Sequence, residues 1–235
     1  MSNKKKRQEQ RRLEAKRRQQ QRMVLVTLAV VAVLAIGGFI IWSSASVPAD
    51  AFQLDRQPYF GDPNAPVTLV EFVDFKCPHC MAFAAQVLLP LEEAYVKTGQ
   101  VKVVVINFPF IGEDSRTAAI ATEVMYQMDP EAFWPYVKAI FARQGATSEI
   151  WATADLLTQL ATQVSPNIDA QAFRAALSDP KYAEEVEIDL GIVRRLGVRG
   201  TPTVYLNGER VDDFSYPSLK NLIDAKLAEL ARTEA

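Results

Sequence analysis

The sequence predicts an α/β domain preceded by a single amino-terminal transmembrane helix. Residues 66–75 and 101–108 are rich in β-branched and aromatic side chains, which is typical of buried strands. A helical pattern separates these two stretches, so a strand–helix–strand unit is expected. The transmembrane helix is predicted from residues 23–42, a run of about 20 uncharged residues, which is long enough to span a bilayer.

The first 22 residues form a basic segment with ten Lys or Arg residues and two Glu residues. Because positively charged flanks of membrane helices stay in the cytoplasm, residues 1–22 are expected to be cytoplasmic and everything after Trp42 extracytoplasmic. Nucleic-acid binding is an alternative explanation of the basic run, but its position directly before an apolar stretch favours control of topology. A cleavable signal peptide, cut after Ser46, is a second alternative, although its apolar core is usually about 7 to 15 residues.

The charge of the remaining chain is strongly acidic, although the whole chain has a net charge of only −2. After residue 22, 16 basic residues face 26 acidic ones, which gives a net charge of −10. No basic surface for nucleic acid is therefore expected on the exported part. Residues 43–58 are predicted to be a linker and residues 59–235 a single domain with its own hydrophobic core.

Both cysteines and the only histidine lie in one tetrapeptide, Cys77-Pro78-His79-Cys80. Two thiols at this spacing can close into a disulfide and exchange electrons with other thiols through a mixed disulfide. A structural zinc site needs four ligands, and covalent haem needs His directly after the second Cys, where this chain has Met81. No metal site is therefore predicted, and an inert buried cysteine pair is the remaining alternative. The oxidising side of a membrane suits disulfide chemistry.

The elements after the tetrapeptide follow from local signals. A helix is predicted from Met81 to about Lys97, kinked at Pro90, and its flanking strands should be parallel neighbours. Residues 114–196 are helical in pattern throughout, with several Asp residues at expected helix starts. An Asn207-Gly208 turn then predicts a β-hairpin over residues 203–211, and an amphipathic helix follows over residues 218–231.

The region from about Tyr59 to Leu230 resembles the thioredoxin superfamily and, within it, the DsbA-like thiol:disulfide oxidoreductases. Three features carry the resemblance: the strand that runs into the cysteine tetrapeptide, the helical block 114–196, and Thr201-Pro202 before the hairpin. The resemblance implies a thioredoxin fold with a helical insertion, and a cis-proline at Pro202. With its anchor, the chain resembles membrane-anchored DsbA-type proteins of bacteria without a conventional periplasm. A single-pass protein of the bacterial cell membrane is therefore expected, with its catalytic domain extracytoplasmic.

The reactive thiol is predicted to be Cys77. At the first turn of a helix, unpaired N–H groups and the helix dipole favour thiolate over thiol. Pro78 suits the first helical position because it has no N–H, and His79 can donate a hydrogen bond or add positive charge. Lys76 is expected to add a further cation beside the sulfur. A stabilised thiolate makes the disulfide form an oxidant.

The resemblance assigns roles to the other site residues. Cys80 would be the resolving thiol, attacking the mixed disulfide at Cys77 and releasing the oxidised substrate, so that Cys77–Cys80 is the redox-active disulfide. Pro202 would pack against the cysteines and leave the Thr201 backbone free to pair with an extended substrate. Glu71 matches the family's carboxylate beneath the active site, where it could relay the proton of Cys80; a solvent-facing side chain is its alternative.

The implied function is the introduction of disulfide bonds into exported proteins with free thiols. Reoxidation by a membrane quinone-linked thiol oxidase is expected, and no cofactor besides the cysteine pair. Two alternatives stay open: a disulfide reductase or isomerase of the same fold, and a non-redox binding or chaperone module.

Overall fold

The computed structural model describes Met23 and residues 46–233 of the chain. The basic segment and, apart from Met23, the predicted transmembrane helix lie outside the described residues. Among the residues that are described, no helix is both long enough and apolar enough to cross a membrane.

The centre of the domain is a five-stranded mixed sheet with the strand order β1-β3-β2-β4-β5. Strands β2 and β3 pair in parallel, with Val67 opposite Val101 and Val73 opposite Asn107, and the other pairs are antiparallel. The predicted parallel unit and hairpin are therefore confirmed. The strands are β1 Tyr59–Phe60, β2 Val67–Val73, β3 Val101–Asn107, β4 Thr203–Leu206 and β5 Glu209–Val211.

The connection between β2 and β3 is one irregular helix, α1, which covers residues 78–96. It begins as the α-helix Pro78–Phe83 and continues through the π-helical turn Ala84–Leu88, the short α-helical turn Leu89–Leu91 and the π-helical turn Glu92–Val96. Pro90 has no N–H to donate, so its helix cannot keep a regular hydrogen-bond ladder. The hydrogen-bond pattern changes accordingly on both sides of this proline.

Five helices lie between β3 and β4, and together they form the helical insertion. Side chains of Thr153, Asp169 and Asp179 accept backbone N–H bonds at three helix starts, and Gly197 at φ 64° ends the longest helix of the insertion. The thioredoxin fold with a helical insertion is confirmed. The helices are α2 Glu113–Met128, α3 Phe133–Ala142, α4 Ala154–Val164, α5 Ala170–Ala176 and α6 Pro180–Leu196, and α7 Tyr216–Thr233 follows the hairpin.

The two faces of the sheet carry separate hydrophobic cores because side chains alternate along each strand. On β2, Leu69 and Val73 belong to the larger core, which also contains both cysteines. Val70 and Phe72 belong to the smaller core on the other face. That core also holds Phe52, which lies within the segment predicted to be a linker, in the short 3-10 helix Ala49–Phe52. Glu71 therefore shares its face with the cysteines.

The hairpin turn is packed against the chain that leads into the domain. The N–H of Val47 donates to the carbonyl of Gly208 at 2.8 Å. Asn207 and Gly208 both have positive φ, 47° and 82°, as a tight two-residue hairpin turn requires.

Candidate active site

The cysteine tetrapeptide lies where β2 passes into α1. Cys77 is the N-cap residue, Pro78 is the first helical residue, and both cysteines are free thiols. The side chain of His79 is exposed, Cys77 is 5% exposed and Cys80 is 0% exposed. Only one of the two sulfurs can therefore meet a thiol from another protein.

The Cys77 thiol is unusually acidic, with a pKa lowered to about 5. The largest cause is a hydrogen bond from the Cys80 thiol, which burial of Cys77 opposes. The Thr201 hydroxyl and the backbone N–H groups of Cys80 and His79 add further donors to the thiolate. The neutral thiol of Cys77 donates instead to the Thr201 carbonyl oxygen, at 3.3 Å.

The Cys80 thiol behaves in the opposite way. Its burial raises its pKa well above the ordinary value, and the hydrogen bond to Cys77 and the charges of Glu71 and Cys77 raise it further. Because the two pKa values are pushed apart, the reduced pair near neutral pH carries one thiolate, on Cys77, and one thiol, on Cys80.

Glu71 lies beneath the two cysteines and is 2% exposed. Burial, followed by the negative charge of Cys77, raises the pKa of this carboxyl well above its ordinary value. Its Oε1 atom has no hydrogen-bond partner among the described residues. The solvent-facing alternative for Glu71 is therefore wrong, and its carboxyl lies within electrostatic reach of both sulfurs.

The loop before β4 covers the other side of Cys77. The Thr201–Pro202 peptide bond is cis, as predicted. Beside this loop runs an open groove of about 510 Å³ that borders the site. Its lining combines apolar side chains with two acidic ones: His79, Ala82, Phe83, Gln86, Val87, Thr201, Pro202, Asp212, Asp213, Phe214 and Ser215.

The positive charge of Lys76 is paired with a carboxylate and not with the Cys77 thiolate. Its side chain is 2% exposed and forms a buried ion pair with Asp114 of α2 at 2.5 Å. Its ammonium group also donates to the Glu149 carbonyl at 2.8 Å. The prediction that Lys76 adds a free cation beside Cys77 is therefore wrong, because Asp114 neutralises that charge within the protein.

Two residues near the site were missed by sequence reasoning. Asp74 accepts the N–H of Lys76 through one oxygen, and the N–H groups of Phe110 and Ile111 through the other. Gln144, which follows α3, donates its side-chain amide to backbone carbonyls of the cysteine turn. No local pattern marks either residue, since their partners lie far away in sequence.

No cluster of metal-ligating side chains is present at this site or elsewhere in the described part of the chain. Within residues 46–233, no group of three or more His, Cys, Asp or Glu side chains is placed to hold a metal ion.

An acidic thiolate at Cys77, a fully buried partner thiol and a cis-proline loop, all on a thioredoxin fold, define a thiol:disulfide oxidoreductase. A protein-family model described as thioredoxin matches residues 53–225. The chain belongs to the thioredoxin family and, within it, to the DsbA-like disulfide oxidoreductases.

The relatives agree with this assignment. Probable disulfide bond formation protein D of Bacillus anthracis is 37% identical over 201 residues, which cover 84% of this chain and 92% of that protein. Disulfide bond formation protein D of Bacillus subtilis (strain 168) is 33% identical over 172 residues, 73% of this chain and 77% of that protein. The crystal structure of oxidised BdbD from Bacillus subtilis matches with a TM-score of 0.71 at 31% identity, covering 79% of this chain and 97% of that chain. This protein is therefore an enzyme of disulfide formation.

Proposed function

We propose that this chain introduces disulfide bonds into exported proteins at the outer face of a bacterial cell membrane, held there by residues 23–42. The observation that carries the proposal is the acidity of the Cys77 thiol, with its pKa of about 5. A thiolate stabilised in this way lowers the free energy of the reduced protein, so the Cys77–Cys80 disulfide tends to accept electrons. An acidic leaving group also departs quickly from a mixed disulfide.

The reaction has two sulfur transfers. A substrate thiolate attacks Sγ of Cys77 in the disulfide; the Cys77–Cys80 bond breaks, and Cys80 leaves with the electron pair and takes up a proton. A second substrate thiolate then attacks the substrate sulfur of the mixed disulfide, and Cys77 leaves as a thiolate. The substrate loses two electrons and gains a disulfide, and the cysteine pair gains those two electrons.

This electron balance corrects the role predicted for Cys80. Attack by Cys80 on the mixed disulfide would re-form the Cys77–Cys80 bond and return the substrate as a thiol, so it cannot release an oxidised substrate. Cys80 is the leaving group in the forward reaction, and its attack is the reverse of that step. Because the pKa of Cys80 is raised, the released sulfur keeps the proton that it takes up and does not readily attack the mixed disulfide again.

Glu71 is the residue that we propose to supply this proton. Its carboxyl is buried beside the cysteines and its pKa lies well above the ordinary value, so its surroundings favour the protonated form. Transfer of that proton to the Cys80 sulfur would avoid leaving an unneutralised thiolate in a buried position. The predicted roles of Pro78 and His79 in tuning Cys77 stay predictions.

The groove beside Cys77 supports binding of an extended substrate segment. We propose that the backbone of Thr201 and Pro202 pairs with that segment, and that apolar side chains such as Phe83 and Phe214 contact it. After each cycle the cysteine pair has to lose two electrons. A quinone-linked thiol oxidase of the membrane is the partner that we propose for this reoxidation.

The redox potential of the full-length chain in detergent tests the direction of the reaction. Equilibration with glutathione buffers should give a potential well above that of thioredoxin and shifted toward that of DsbA, about −120 mV. A potential near that of thioredoxin, about −270 mV, would show that the protein is not an oxidant. The Cys77→Ser variant should not introduce disulfides into a reduced, unfolded secreted protein. Gln163→Met, on the exposed face of α4, is a control that leaves the cysteine pair unchanged.

Labelling in intact cells tests the location. After mild reduction, a membrane-impermeant maleimide should modify Cys77 in intact cells to the same extent as in lysed cells. Modification only after lysis would contradict an extracytoplasmic domain.

A further inference from the structure

The turn that carries Cys77 is held from outside by the helical insertion. One attachment runs through Asp74 and Lys76, two of the three residues before Cys77. Oδ2 of Asp74 accepts the N–H groups of Phe110 and Ile111 at 2.8 and 2.9 Å, and Lys76 reaches the buried carboxylate of Asp114. These contacts fix the chain just before the reactive sulfur to the start of the insertion.

A second attachment comes from Gln144, which follows α3. Its Nε2 donates to the Phe75 carbonyl at 2.8 Å and to the Cys77 carbonyl at 3.1 Å, so one amide group bridges the turn. The Cys77 carbonyl also accepts the N–H groups of Cys80 and Met81, at 3.1 and 3.2 Å, which are the first bonds of α1.

The two attachments are joined within the insertion. Oδ2 of Asp114 accepts the N–H groups of Trp151 and Ala152 at 2.9 and 3.0 Å. The side chain of Trp151 lies over Gly145, so closely that an added Cβ would meet its ring at 2.9 Å. Gly145 directly follows Gln144. A continuous series of contacts therefore connects Lys76 through Asp114, Trp151 and Gly145 to Gln144, which contacts the cysteine turn again. The position of Gln144 is therefore fixed by packing.

We propose that Gln144 is a positioning residue for the Cys77 thiolate, through which the helical insertion makes the cysteine pair a stronger oxidant. The carbonyl oxygens of Phe75 and Cys77 carry partial negative charge close to the sulfur. The amide hydrogens of Gln144 compensate this charge and fix the peptide plane after Cys77. Because the Cys77 carbonyl also accepts the N–H of Cys80, the Gln144 amide orders the first turn of α1, whose N–H groups at His79 and Cys80 stabilise the thiolate. The disulfide is uncharged and gains less from the same arrangement.

The test is the variant Gln144→Met, which keeps the length of the side chain and removes both donors, in the full-length chain in detergent. Loss of the two hydrogen bonds should lower the equilibrium constant for oxidation of glutathione roughly tenfold. This corresponds to a potential about 30 mV more negative for a two-electron couple. The ultraviolet titration of the thiolate should move to higher pH. Gln163→Met, the matched exposed substitution on α4, should change neither quantity.

The unfolding of the two redox forms separates positioning from a purely structural role. Urea unfolding of Gln144→Met should show a larger loss of stability in the reduced form than in the oxidised form. Equal losses, with an unchanged titration and potential, would overturn the inference. If Gln144→Met does not fold, Gln144→Glu replaces it: its carboxylate cannot donate at neutral pH, so the same shift toward a weaker oxidant is expected, and an unchanged potential would refute the inference.

This inference rests on the redox function proposed above, but the two can fail separately. A wild-type potential near that of thioredoxin would remove the proposed oxidant function. The difference between wild type and Gln144→Met would still decide whether Gln144 positions the sulfur.

Discussion

Replacing Lys76 by methionine should lower the free energy of unfolding at pH 7 by about 3 to 5 kcal/mol. The ammonium of Lys76 is 2% exposed, and its ion pair with Asp114 lies inside the domain. Methionine fills a similar volume but leaves the Asp114 carboxylate buried without its counter-charge. Since domains are stable by about 5 to 15 kcal/mol in total, this is a large part of the stability.

The pH dependence of this loss of stability follows from the opposing effects of burial and hydrogen bonding on the pKa of Asp114. Burial alone raises the pKa of this carboxyl, but the hydrogen bond from Lys76 and the N–H groups of Ala152 and Trp151 hold it below the ordinary value of 3.8. In the wild type, the stability from this pair is present at neutral pH and is lost as the pH falls below about 4. Without Lys76, burial raises the pKa of Asp114, so the variant loses stability as the pH rises from about 4.

Urea unfolding of the oxidised protein at pH 4 and pH 7 measures both effects. The difference between wild type and Lys76→Met should be large at pH 7 and smaller at pH 4. Lys97→Met, which removes an exposed ion pair with Glu93, is the control and should show no measurable loss. An equal destabilisation by Lys76→Met at both pH values would refute the reasoning, because the loss would then come from packing and not from the buried charge.

Three further predictions concern the sulfurs, the buried acid and the hairpin. The ultraviolet thiolate titration of the reduced protein should have its midpoint near pH 5, and Cys80→Ala, which removes the main donor to Cys77, should raise it; an unchanged midpoint would contradict the hydrogen bond. Burial raises the pKa of Glu71, so its negative charge lowers the stability of the fold as the pH rises above about 4.5. Urea unfolding at pH 8 should therefore show that Glu71→Gln is more stable than the wild type. The same variant should reduce the rate of disulfide exchange, measured by stopped flow, up to about 100-fold, because it has no carboxyl proton to transfer. Gly208→Ala should cost about 1 to 3 kcal/mol, because φ is 82° and the added methyl would overlap the Val47 carbonyl, whereas Gly191→Ala within α6 should raise the melting temperature.

The parts of the fold that the sequence predicts are those with local signals. The parallel strands are marked by runs of β-branched residues, and the hairpin by Asn207-Gly208, whose positive φ values suit a tight turn. Strand β1 escapes prediction because two residues show no alternation, and its pairing of Tyr59 with Val104 depends on tertiary structure. The 3-10 helix containing Phe52 is missed for the same reason.

The active site divides in a similar way. The tetrapeptide carries the reactive thiols, the helix start and Pro78 within four residues, so their arrangement follows from local geometry. The ion pair of Lys76 does not follow from local geometry, since its partner Asp114 is 38 residues away in sequence. The contact from Gln144 to the Cys77 carbonyl spans 67 residues, and no motif connects the two. Sequence reasoning therefore finds the reacting atoms but not the groups that hold their surroundings in place.

The complete burial of Cys80 gives this enzyme a practical asymmetry. Cys80 is 0% exposed, whereas Cys77 is 5% exposed and its neighbours His79 and Thr201 line the groove. Any client protein caught in mid-reaction is consequently bonded to one known atom. The mixed disulfide therefore always joins Sγ of Cys77 to the client cysteine that attacks first.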